Sequence, residues 1–235
     1  MRFHLRSKLR LVSGPHGPTP PPPLLTPLTV LDGADWLCAS LTTFAINVAS
    51  FLPGHFPAYA RIYNPFGDVR DPGGAQRWSS LAAQAGRDLS DPAAAEDFAY
   101  NGVSNAQART GQAPLIVISP LVEHLRPATT TPEQCYFALW HGYSIEPPGL
   151  IPKLELPNRE YYVYGGPLEA ALSSFDPFPF SQRSANLWWP ADQAWCVATE
   201  VDFAWTYVGG PRSCIDAILA DTRLDAVETS ARARW

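Results

Sequence analysis

The chain has 235 residues, 46% hydrophobic and only 17% charged, with a net charge of −5. That is ample length for one self-sufficient core, and so little charge excludes both extensive disorder and a nucleic-acid surface, which needs clustered Lys and Arg. With 25 prolines and 8 tryptophans, short elements joined by stiff turns are expected rather than long helices.

Residues 1–27 begin with a basic stretch (Arg2, Arg6, Lys8, Arg10) and run into Gly14–Pro18 and Pro20–Pro23. Such a segment adopts polyproline II readily but has no side chains with which to build a core. It is expected to be a tail, with residues 28–235 forming one domain. No uninterrupted apolar run follows the basic residues, so a secretory signal is not expected.

Leu28–Leu31 is short and β-prone. Trp36–Pro53 contains no charged residue, yet Ser40, Thr42, Thr43, Asn47 and Ser50 interrupt it and Asp32 and Asp35 precede it. Two buried strands or a core helix fit that pattern better than a membrane span. Pro57–Tyr63 reads as a strand and 66–74 as a loop. Helices are expected over Ala75–Ala85 and Pro92–Tyr100, followed by a loop over 101–113. Leu115–Arg126 is ambiguous: Ile116–Ile118 favours a strand, and Pro120 opens what reads as a short helix.

Further on, Gln134–His141 reads as a central strand, with strands again at Lys153–Leu156 and Arg159–Tyr164. A short helix covers Leu168–Leu172, and Phe175–Phe180 is too irregular for either. Leu187–Trp189 and Ala194–Val201 form a hairpin, Thr206–Val208 leads to Gly209-Gly210, Pro211–Ala220 is a helix and Leu224–Val227 a last strand. This order suits an α+β fold, an antiparallel or mixed β-sheet with helices packed mainly on one side.

No nucleophile elbow, P-loop, metalloprotease or dinucleotide motif is present. The four cysteines form no C-x-x-C pair and no two histidines have ligand spacing, so neither a metal nor another cofactor is expected. Cys135, Cys196 and Cys214 lie in apolar stretches and read as buried thiols of a cytoplasmic protein.

Trp195–Tyr207 carries the main chemical signal. If one strand runs through it, the odd positions form an apolar, aromatic face and Glu200 and Asp202 share the other, about 7 Å apart at the usual rise per residue. Two carboxylates that close suit acid/base work, with His141, just past an apolar strand between Trp140 and Tyr143, as a third group. The plainer alternative is a pair of surface acids, or one acid paired with an arginine such as Arg61 or Arg159. Aromatic density is the second signal. Tyr136, Trp140, Tyr143, Tyr161, Tyr162, Tyr164, Trp188, Trp189, Trp195, Trp205 and Tyr207 exceed what one small core readily buries, and Tyr and Trp tips seek polar partners.

The runs Leu52-Pro53…Tyr59-Ala60-Arg61-Ile62, Cys135…Trp140…Gly142-Tyr143 and Trp188-Trp189-Pro190…Trp195-Cys196-Val197-Ala198-Thr199-Glu200…Tyr207-Val208-Gly209-Gly210 resemble a group of uncharacterised bacterial proteins, mainly of actinobacterial type. The likeness covers residues 50–65 and 130–228. It implies a shared domain and nothing about catalysis.

Two functions stay open. One is a non-catalytic recognition domain that binds a protein partner or a small molecule through an aromatic-lined groove formed by Arg61, Trp140, Tyr143, Arg159, Trp205 and Tyr207. An immunity-like role is one version of it. The other is a small hydrolase or transferase using Glu200, Asp202 and His141. Neither nucleic acid nor membrane is an expected partner, and oligomeric state leaves no mark in the sequence.

Overall fold

Ala58–Tyr63 (β2) and Trp205–Gly210 (β8) are buried at every position, which fits strands covered on both faces. They pair antiparallel, with Arg61 opposite Tyr207. The computed structural model describes residues 22–67, 75–89, 110–157, 159–176 and 182–234. Among these described residues the remaining strands complete a 9-stranded sheet around this pair. They are β1 (Thr26–Pro27), β3 (Cys135–Trp140), β4 (Lys153–Glu155), β5 (Glu160–Gly166), β6 (Leu187–Pro190), β7 (Cys196–Ala198) and β9 (Ala226–Thr229). Their order is β1-β5-β3-β6-β7-β8-β2-β9, with β4 also on β5, and every pairing is antiparallel. The fold is therefore α+β.

Side chains alternate across each strand, and the sheet accordingly separates two apolar layers. One contains Tyr59, Tyr63, Tyr161, Trp189, Trp205 and Tyr207. It is covered by α1 (Asp35–Ser40), by the 3-10 turn at Val48–Ser50 and by α2 (Trp78–Gln84). The other contains Phe137, Tyr164, Trp188, Trp195, Val197 and Val208 beneath the two longest described helices, α3 (Leu115–Leu125) and α4 (Arg212–Ala220).

Several elements differ from expectation. The chain joins the sheet at Thr26, two residues before Leu28, and Leu25 is already buried. Of the two readings of the uncharged segment, a helix rather than a pair of strands forms, but it is short: α1 and the 3-10 turn at Val48–Ser50 are joined by coil, and Asp35 sits in the first turn of α1, where a negative charge is favoured. Ile116–Ile118 is helical. Val117, Ile118, Leu121, Val122 and Leu125 form one buried stripe on α3, and this tertiary burial outweighs β-propensity. The last strand lies two residues later than expected. The predicted helix at Pro92–Tyr100 lies outside the described residues, as does most of the 66–74 and 101–113 loops. Cys135, Cys196 and Cys214 are buried free thiols, and Cys38 is free and exposed. Among the described residues no helix is long and apolar enough to cross a membrane.

α3 and α4 are tied at their ends by charge. His124 Nε2 lies 2.8 Å from Asp221 Oδ2, and Arg223 bridges Asp221 and Glu123 at 2.7 Å each. The hydrogen bonds from Arg223, helped by His124, hold the Asp221 carboxyl well below the usual carboxylate range against the opposing effect of burial. A depressed folded-state pKa means that the contribution is complete above the unfolded value of about 3.9 and is lost as pH falls through the folded one. The urea midpoint is therefore expected to drop on acidification from about pH 5 to pH 2. Asp221→Asn should flatten that drop. Equal slopes for the two proteins would show that this carboxyl is not responsible.

Candidate functional site

The backbone between β7 and β8 turns instead of continuing as a strand, with Val201 and Asp202 in the turn. The period-two alternation expected through residue 207 thus stops at Ala198. Asn186 explains the turn. Its Nδ2 donates to Thr199 O at 3.1 Å and to Gly111 O at 3.2 Å, while its Oδ1 accepts from Trp140 N at 2.9 Å. Thr199 Oγ1 meets Thr206 Oγ1 at 2.9 Å, and Thr206 donates to Asn64 Oδ1 at 3.3 Å. Buried polar groups of this kind specify one backbone path when all are satisfied. Gly111 fits the same corner: its φ is +75°, and a Cβ there would stand 2.7 Å from Val201 O.

Although the strand ends, Glu200 and Asp202 do come together, through Arg159. Arg159 Nη2 lies 2.6 Å from Glu200 Oε1 and 2.7 Å from Asp202 Oδ2, and its Nε donates to Glu200 Oε1 at 3.1 Å. Glu200 is 6% exposed at its side chain and Asp202 73%, so one acid is built in and the other caps the site from solvent. The mutual repulsion on which an acid/base reading rests is offset by the shared cation.

The guanidinium of Arg159 also sits 5.1 Å from the Trp140 ring centre. Trp140 meets Tyr143 edge-on at 5.0 Å, and the guanidinium carbon of Arg183 lies 3.9 Å from the Tyr143 ring centre. The result is a row, Arg159–Trp140–Tyr143–Arg183, in which each ring carries a cation. Tyr143 Oη is pinned by a 2.6 Å bond to Gly111 O, and burial pushes its pKa up. Arg183 has no ion pair among the described residues.

His141 stands apart. Its Nδ1 lies 3.8 Å from Glu160 Oε2 and its ring 6.2 Å from Tyr162. Glu160 and Tyr162 alternate with Arg159 and Tyr161 along the chain and so project from the opposite face of β5. The expected grouping of Glu200, Asp202 and His141 therefore does not form. The expected groove residues divide likewise. Trp140, Tyr143 and Arg159 meet at this rim, whereas Arg61, Trp205 and Tyr207 are 3%, 1% and 0% exposed within the core.

Room at the site is small. A cavity bordered by Ser50, Phe51, Tyr161, Asn186, Thr199 and Glu200 has a volume of about 10 Å³, about enough for one water. A larger cleft of about 210 Å³ lies between Tyr63, Pro65, Arg77, Ile116, Val117 and Leu224, still below the roughly 300 Å³ at which small-molecule pockets begin. No sequence pattern marks it, since its walls come from four distant segments and Arg77 is bound to Asp225 at 2.6 Å. Arg183 was missed as well, because a lone basic residue in an irregular stretch has no pattern to mark it. Among the described residues no group of three His, Cys, Asp or Glu side chains could hold a metal ion.

Fold and site together define an α+β domain with a rim of two aromatic rings and two arginines. No protein-family model matches the chain, and no curated protein or solved structure is similar to it.

Proposed function

We propose that this chain is a non-catalytic recognition domain that binds a protein partner across the Trp140–Tyr143 rim. The supporting observation is the row of two half-buried aromatic rings, each stacked with a guanidinium, beside a cavity too small for anything larger than water. Trp, Tyr and Arg dominate the energetics of protein interfaces. A surface row without a pocket suits a protein better than a small molecule, which binds in concave sites. Arg183, which has no ion pair among the described residues, would select a partner carrying a carboxylate or carbonyl-rich patch. An immunity-like role, with a toxin as that partner, is one form of this reading.

The alternative, a hydrolase or transferase, has less behind it, because its two acids share one cation and its histidine lies across the sheet. We place the domain in the cytoplasm, where its four free cysteines would stay reduced, and the net charge of −5 supports a partner other than nucleic acid.

Affinity capture from the native cells with wild-type, Trp140→Ala and Arg183→Glu proteins tests the proposal. A protein held by the wild type is expected to bind each variant at least about 30-fold more weakly, the scale of an interface hot spot, with unchanged thermal midpoints. Partners retained equally by all three proteins, or none captured by the wild type, would refute it.

A further inference from the structure

The cleft of about 210 Å³ lies between the end of β2, the start of α3 and the residues just before β9, away from the Trp140–Tyr143 rim. Tyr63, Pro65, Ala75, Ile116, Val117 and Leu224 give it apolar walls. Tyr63, Val117 and Leu224 are buried, whereas Ile116 is 50% exposed and forms its lip. The Tyr63 hydroxyl donates to Leu89 O at 2.8 Å, which leaves the ring as an apolar surface.

Two guanidinium groups and one carboxylate border the same cleft. The side chains of Arg77 and Arg223 are 42% and 51% exposed, and that of Asp225 is 6% exposed. Arg77 donates through Nε and Nη2 to Asp225 Oδ1, at 3.1 and 2.6 Å, and through Nη1 to Thr222 O at 2.6 Å. Among the described residues these bonds engage three of the five N–H groups of an arginine, so Nη1 and Nη2 each keep one. Arg223, bound to Asp221 and Glu123, keeps one on Nη1 by the same reckoning. Asp225 Oδ2 accepts from Ser79 N at 3.2 Å, and a carboxylate oxygen has room for a second donor.

Charge decides what fits between them. Arg77 and Arg223 are paired with three acids, Asp221, Asp225 and Glu123. An anion would therefore enter a place already rich in carboxylate, and a cation would meet two guanidinium groups. A zwitterion, neutral as a whole, serves both kinds of group at once. Size narrows the choice further. An engineered apolar cavity of about 150 Å³ in another protein takes benzene, with its six heavy atoms, so about 210 Å³ suits about eight or nine. Those are the counts in valine and leucine, well below the drug-sized ligands that fill pockets of about 300 Å³ and more.

We propose that this cleft is a binding site for a free aliphatic α-amino acid of the size of valine or leucine. Its side chain lies between Tyr63, Ile116, Val117 and Leu224, its carboxylate accepts from Arg77 and Arg223, and its ammonium donates to Asp225.

Titration of the full chain with L-leucine, 4-methylpentanoate, 3-methylbutylamine and glycine, followed by calorimetry and by ligand NMR, tests the site. Leucine is expected to bind with a Kd below about 1 mM and to raise the thermal midpoint with the logarithm of its concentration. The other three compounds lack in turn the ammonium, the carboxylate and the apolar body, and each should bind at least about 10-fold more weakly. Ile116→Asp places a charge at the lip, in the first turn of α3 where an acid is favoured. It should weaken leucine binding at least about 10-fold and leave the midpoint without ligand unlowered. If that variant does not fold, the analogue series on the wild-type chain decides. No saturable binding of leucine or valine up to about 10 mM, equal binding of leucine and any of the three truncated compounds, or undiminished binding to Ile116→Asp would overturn the proposal.

Discussion

Trp195→Ala is expected to cost about 3–5 kcal/mol, the range for removing a fully buried tryptophan. The residue is 0% exposed and stands just before β7, where its indole packs edge-on against Trp188 at 5.4 Å and donates to Leu125 O at 3.1 Å, the last residue of α3. It therefore joins the sheet to the helix layer by apolar contact and by one hydrogen bond at once. Alanine leaves a cavity and strands the Leu125 carbonyl, and the two losses reinforce each other. Since a domain has only about 5–15 kcal/mol in hand, this one change takes a large share of it. Chemical denaturation should show a lower midpoint with an unchanged slope, because the unfolded state exposes the same surface. Trp195→Phe, which keeps most of the volume and loses only the N–H, should cost about 1–3 kcal/mol. A loss below 1 kcal/mol for the alanine variant would mean that this contact does not secure α3.

Arg159→Met is the second large effect, expected at about 2–4 kcal/mol. The substitution keeps the apolar stem over Trp140 but takes both guanidinium hydrogen bonds from Glu200, whose side chain is 6% exposed. A buried carboxylate deprived of its cation is costly, whereas removing both charges of such a pair is often nearly neutral. Arg159→Met combined with Glu200→Gln should accordingly recover much of the loss. Asp202→Asn should cost under about 1 kcal/mol, as exposed ion pairs do. Urea midpoints of the four proteins decide the matter: a double variant as unstable as Arg159→Met alone would show that the charge of Glu200 is not what makes Arg159 necessary.

The strands were legible wherever burial imposes a simple pattern. Cys135–Trp140 and Trp205–Gly210 are apolar on both faces, and Lys153–Glu155 and Glu160–Gly166 are separated by Pro157 and its neighbours. The residues between Thr199 and Ala204 were misread for a physical reason. Their alternation of apolar and acidic side chains mimics a strand, while the turn is imposed by Asn186, which lies 13 residues earlier in the chain than Thr199. α3 misled similarly, since Ile-Val-Ile favours a strand locally and only the stripe ending at Leu125 reveals the helix. At the site, the strand spacing expected to bring Glu200 and Asp202 together does not exist; the two acids meet through Arg159, and an arginine partner such as Arg159 is the plainer alternative that the sequence also suggests. The exclusion of His141 depended on which face of β5 Glu160 occupies, and that is set by the register with β4 rather than by anything near His141.

The strand order has a consequence for biosynthesis. Ile62 has no ladder partner until Thr206 and Ala226 have been made, and at roughly 5–20 residues per second the wait is about 7–30 s. Throughout it a β-prone, apolar ribbon with both edges open leaves the ribosome alone. Such a nascent chain invites premature association, so its yield in a cell should depend on how well chaperones shelter that early hairpin-less strand.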